Sequence, residues 1–173
     1  MPDHLLPVRV LALLFCIAGP PTLVTSAVNA DPNVSEVAFE GTGFTQDPCS
    51  LLTSAEVSQQ LGRQVLAVPN PNQQPMCEWT PDGKPGLDTS AFLEYQNRSS
   101  RFHLDVVRNL KRPNPGSGVK RFDIGNGALL STARREISVL IGDSTFRIGG
   151  GVSIPLSDDA LVNLARLAQS RAH

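Results

Sequence analysis

From Ile137 to Ile148 apolar side chains fall on alternate positions: Ile137, Val139 and Ile141, then Phe146 and Ile148, with Gly142-Asp143-Ser144 between the runs. A period of two is that of an extended chain with one buried face, so this stretch is a β-hairpin. It commits the chain to an antiparallel sheet and leaves the rest to supply partner strands and a cover.

Helix signals flank the hairpin. In Leu52-Thr53-Ser54-Ala55-Glu56-Val57, Thr53 at the N-cap puts Glu56 at the third helical position, where its carboxylate reaches back to a free backbone donor. Leu52 and Val57 stand at the spacing of a hydrophobic staple and Leu61-Gly62 stops the helix, which is predicted over about 54 to 61. Arg101 to Arg112 reads as a second helix, capped by Ser99 or Ser100 and ended by Pro113, with Phe102, Val106 and Leu110 as its apolar stripe. The last helix follows Ser157, with Asp158 and Asp159 at its positive end, a Leu156/Leu161 staple and Leu161, Leu164, Ala165 and Ala168 facing inward.

Between these lie further strand segments. Gln64 to Val68 precedes a Pro/Asn/Gln loop, Pro69 to Pro75; Met76 to Thr80 and Thr89 to Gln96 are joined through Pro81-Asp82-Gly83; Val119 to Asp123 and Ala128 to Ser131 flank Asn126-Gly127, a favoured hairpin dipeptide. Gly149-Gly150-Gly151 reads as a flexible strand end. Trp79, two residues from Cys77, falls on the same side of its strand and reads as a core residue. Strands joined by turns rather than by crossover helices specify an α+β domain: a mostly antiparallel sheet, about three helices packed on one face, and one disulfide.

Residues 1–30 are set apart. Arg9, the apolar run Val10 to Gly19, the break Gly19-Pro20-Pro21 and the small-residue end Val28-Asn29-Ala30 follow the order of a secretory signal peptide. The run is about half the roughly twenty residues of a membrane-spanning helix, so no transmembrane helix is expected after cleavage. Lipid attachment at Cys16 competes with free secretion, but a lipobox places a small residue before its cysteine and here Phe15 stands there. Residues 31–46, in which Val37 and Phe39 are too few to form a stripe, read as a flexible lead-in to a single domain over 47–173. Export leaves Cys49 and Cys77 in an oxidising compartment, where a disulfide between them would contribute about 3 to 4 kcal/mol.

Charge and motifs narrow the function by exclusion. With 15 Lys+Arg against 16 Asp+Glu in 173 residues, the chain lacks the basic excess of a general nucleic-acid binder. Gly142-Asp143-Ser144-Thr145-Phe146 misses the last glycine of a serine-hydrolase elbow and lies in a hairpin. His103, the one internal histidine after processing, reads as a packing or surface residue, and two cysteines with two histidines at wide spacing make no zinc site. No catalytic residue, metal site or cofactor is therefore assigned. One feature points outward: Arg98, Arg101, Arg108, Lys111 and Arg112, with Lys120 and Arg121 following, stand against Asp105 and, just beyond, Asp123. Such a face can meet anionic polymers, lipid head groups or an acidic partner, or simply be solvated.

Asp47-Pro48-Cys49-Ser50-Leu51-Leu52-Thr53, with Glu56-Val57, Leu61-Gly62, Cys77-Glu78-Trp79, Ile124-Gly125-Asn126-Gly127-Ala128 and the Gly142-Asp143 turn, resembles the actinobacterial secreted and lipoprotein family named domain of unknown function 3558. The resemblance spans about residues 47 to 170. It implies a cell-envelope location and a disulfide at Cys49 and Cys77, and it implies no activity. The expected function is thus a non-enzymatic module binding an envelope ligand or partner; the alternative is an envelope hydrolase whose site, with Ser144 or a carboxylate, is assembled only in the fold.

Overall fold

The computed structural model describes residues 43–70, 75–85, 89–112, 114, 116–151 and 155–172. The expected signal peptide, Cys16, residues 31–42 of the lead-in and Pro113 lie outside them.

The elements run α1 (Pro48–Leu51), α2 (Ser54–Leu61), β1 (Leu66–Asn70), β2 (Met76–Thr80), β3 (Ala91–Gln96), α3 (Arg101–Lys111), β4 (Val119–Phe122), β5 (Ala128–Ser131), β6 (Glu136–Ile141), β7 (Ser144–Gly150) and α4 (Asp158–Arg171). The seven strands form one sheet in the order β1-β2-β3-β7-β6-β5-β4, antiparallel at every seam. Two meanders, β1 to β3 and β4 to β7, meet along the central β3–β7 pairing, where Leu93 faces Ile148 and Tyr95 faces Phe146. The α+β class and its antiparallel sheet are as the turn-linked strands require.

Local chemistry sets the helix ends. The Thr53 hydroxyl accepts from the Glu56 amide while the Glu56 carboxylate accepts from the Thr53 amide, closing the expected capping box. Ser100 and Ser157 cap α3 and α4 by accepting from the amides of His103 and Ala160. The short α1 was not expected. Asp47 caps it by accepting from the Cys49 amide at 2.9 Å and Pro48 occupies its first turn, so the Asp-Pro pair carries its signal.

Alternate residues of the strands build the core. Cys77, Trp79, Leu93, Tyr95, Leu130, Ile137, Val139, Phe146 and Ile148 are wholly buried with Leu51, Leu52 and Val57 and with Leu161, Leu164, Ala165 and Ala168 of α4. Three helices, α1, α2 and α4, cover this face, and Cys49–Cys77 ties α1 to β2. The helix following Ser100 is not among them. α3 packs against β5 and β6 from the opposite side, so both faces of the sheet are covered.

Three local readings need correction. Phe44, placed in the flexible lead-in, is buried and stacks on Tyr95 with ring centroids 4.2 Å apart. β1 runs through Pro69 to Asn70 instead of stopping at Val68, because it is an edge strand, where a residue without an N–H is tolerated. Gly149 and Gly150 are not a loose strand end: they pair with Phe92 and Ala91. A side chain at Gly149 would meet the Phe92 ring at 2.4 Å, so this glycine leaves the space that the ring occupies.

Candidate functional site

The face of the sheet beneath α3 is polar where the opposite face is apolar. Glu94 and Gln96 of β3, Thr145 and Arg147 of β7, and Glu136 and Ser138 of β6 alternate with the core residues and so point toward the helix. Arg147 is their hub. Its guanidinium donates to Glu94 at 2.5 Å and to Glu136 at 3.2 Å. Its carbon lies 5.0 Å from the Phe92 ring centroid and 5.3 Å from that of Phe102. A planar cation between two aromatic faces and two carboxylates is held in one orientation, which favours arginine over lysine here.

His103 anchors the first turn of α3. It is buried, and its Nδ1 lies 2.7 Å from the Thr145 hydroxyl. Burial holds its pKa below the ordinary imidazole value, and the cationic Arg98 acts in the same direction. Of the packing and surface roles expected of this histidine, the fold gives it the packing one.

Beyond this polar layer α3 lifts from β4, β5 and β6 and leaves an open groove of about 310 Å³. Phe102, Val106, Val119 and Leu129 supply its apolar surface. Asp105, Asn109, Ser131, Arg134, Glu136 and Ser138 supply its polar groups. Most are already engaged: Asp105 pairs with Arg108 at 3.4 Å, Glu136 with Arg147, and the Ser131 hydroxyl accepts from the Arg134 amide. Ser138 differs. Only 4% of it is exposed, and its hydroxyl has no hydrogen-bond partner among the described residues. The hydroxyl itself is not among the polar atoms buried without a partner, so it stays open to the groove and can hydrogen-bond whatever occupies it.

The expected cationic residues lie at the two ends and the outer side of α3. Arg98, Arg101, Arg108, Lys111 and Arg112 are all exposed. Arg98 has a long contact of 3.7 Å to Asp143, whereas Arg101, Lys111 and Arg112 have no acidic partner among the described residues. Arg108, Lys111 and Arg112, with Asn109 and Asn114, border a second depression of about 470 Å³ at the end of the helix, which adjoins the first through Asn109. Lys120 turns to the other side, pairing with Asp158 at the start of α4 at 2.7 Å.

The catalytic near misses do not converge. Ser144 is buried at the start of β7, and the histidine nitrogen that faces β7 is taken by Thr145, itself wholly buried. Cys49 and Cys77 are joined to each other. No metal-holding group of His, Cys, Asp and Glu occurs among the described residues, nor is any described helix long and apolar enough to cross a membrane.

Sequence reading missed Glu94, Glu136, Ser138 and Arg147. Their signal was present: polar residues on alternate positions of three strands that, on the same strands, bury apolar residues. Models of known protein families, curated proteins and solved structures give no match to this chain.

Proposed function

We propose that this chain is a non-enzymatic binding module of the actinobacterial cell envelope, as its resemblance to domain of unknown function 3558 implies, and that it contacts an anionic envelope component through α3. The observation that carries this reading is the row of exposed cations along that helix, of which Arg101, Lys111 and Arg112 have no acidic partner among the described residues, and of which Arg108, Lys111 and Arg112 border a depression. The disulfide is in keeping with an oxidising compartment, and secretion through the leader belongs to the same reading.

Substituting Arg101, Arg108 and Arg112 together by Glu tests it. Co-sedimentation of the variant with isolated envelope material should fall about tenfold or more and lose its dependence on salt, since exposed cations act through screened electrostatics. The melting temperature should hardly change, because none of the three side chains is buried. Unchanged attachment would remove the helix face from the argument. The hydrolase alternative gains no support from a buried Ser144 and a His103 committed to Thr145.

A further inference from the structure

We propose that the groove between α3 and strands β4 to β6 is a binding site for a neutral, polyhydroxylated ligand of the size of a sugar ring or two. The proposal rests on the reading of the chain as a binding module, but on a different surface from the cationic helix face.

Three features of the groove point to this chemistry. The first is Ser138, a residue that lines the groove and whose hydroxyl, open to the groove, has no side-chain partner among the described residues. A ligand hydroxyl, donor and acceptor at once, is the complement of such a group.

The second is the state of the carboxylates. Asp105 and Glu136 both line the groove, which by itself would suit a cation. Each already faces a guanidinium, Asp105 that of Arg108 and Glu136 that of Arg147. Their charge is compensated within the protein while lone pairs remain, so they serve as acceptors for O–H donors rather than as bare anions seeking a positive group.

The third is Phe102. One side of its ring is occupied by the Arg147 guanidinium, 5.3 Å from the centroid, which fixes the ring in place. With Val106 and Leu129 it gives the groove an apolar wall, against which the C–H face of a sugar ring can lie while its hydroxyls meet the polar side. Mixed lining of this kind, apolar walls with a few converging polar groups, is that of a small-molecule site.

The test uses the disulfide-bonded protein, isotope-labelled, and a panel of neutral gluco-, manno-, galacto- and arabino-oligosaccharides. At least one member should shift the amide resonances of Asn109, Ser131 and Ser138 in a saturable way. Ser138→Ala should weaken that binding about fivefold, the loss of one uncharged hydrogen bond. Ala133→Phe, at an exposed rim position that leaves the core alone, should abolish it by filling the groove mouth. The Arg101, Arg108 and Arg112 triple Glu variant would also remove the Asp105 partner, so Arg101→Glu/Arg112→Glu is the control, and it should bind sugar as the parent does while losing envelope attachment. If no panel member shifts these resonances, or if Ala133→Phe binds undiminished, the groove assignment is overturned whatever the outcome for the helix face. Sugar binding with no loss of envelope attachment in the control would uphold the groove and overturn the cationic surface.

Discussion

The guanidinium of Arg171, at the end of α4, grips the carboxylate of Glu56, 115 positions earlier in the chain, with both oxygens engaged at 2.5 and 2.8 Å. The same guanidinium donates to the Leu51 carbonyl at 2.9 Å, so the last helix is tied to the first two. Arg171 holds the Glu56 pKa down from 4.5 to about 2, aided by the capping hydrogen bonds from Thr53. Because the folded value lies below the unfolded one, the contribution is fully present above pH 4.5 and is lost as the pH falls through about 2. Arg171→Gln should cost about 1 to 2 kcal/mol at neutral pH, moderated by the partial exposure of the pair. Urea unfolding across that window should show the difference from the parent vanish at the acid end; a difference independent of pH would sink the explanation.

His103 gives a second pH dependence with a separate window. Its folded pKa lies below 6.5, chiefly through burial, so below pH 6.5 the unfolded chain takes up a proton the folded one refuses. Stability should therefore decline as the pH falls from 6.5, until the pH passes the lowered folded value. His103→Gln should flatten this decline while leaving the Glu56 window in place. Imidazole resonances followed by NMR would check the premise, and a folded His103 titrating above 6.5 would contradict it.

The Cys49–Cys77 bridge spans 28 positions and joins an otherwise short helix to the second strand. Cys77→Ala should lower stability by about 2 to 4 kcal/mol. Near-UV circular dichroism at low temperature should still report a packed Trp79, since the helices of that face keep their apolar contacts. A melting temperature equal to the parent's would show that the bridge stabilises nothing.

Gly149 has a steric role that a small substitution reveals. An added methyl would lie 2.4 Å from the Phe92 ring and 3.1 Å from Glu136 Cγ, two of the four side chains that hold Arg147. Gly149→Ala is expected to cost about 1 to 3 kcal/mol, as overpacking does. Pairing it with Phe92→Leu should recover part of the loss in thermal unfolding, and an additive double variant would separate the ring from the glycine.

Much of this fold was legible because its signals are local. The capping box of Thr53 and Glu56, the Ser157 cap, the strand Met76–Thr80 and the Gly142-Asp143 turn, where Gly142 holds φ at +56°, each depend on a few adjacent residues. What was not legible depends on residues far apart. Nothing near Tyr95 in sequence says that Phe44 stacks on it, and nothing near Arg147 names Glu94 as its partner. The side taken by α3 had a trace in Ala128-Leu129-Leu130, where consecutive buried residues mark a strand covered on both faces. Of the candidate site, the cations of α3 were visible as charge, whereas the groove beside them needed the helix to be placed over β5 and β6 before Ser138 and Phe102 could meet.

The central seam separates what this molecule can change from what it must keep. Gln96 and Thr145 are direct neighbours across it, so everything between them leaves the middle of the sheet and returns to the same spot as a closed excursion. Every residue lining the groove, from Phe102 to Ser138, belongs to that excursion. Within it, Leu130, Ile137 and Val139 serve the core while their immediate neighbours Leu129, Ser131, Glu136 and Ser138 serve the groove. Sequence drift at every second position can thus change the lining of the groove, and the disulfide, the three-helix cover and the mated meanders need not respond.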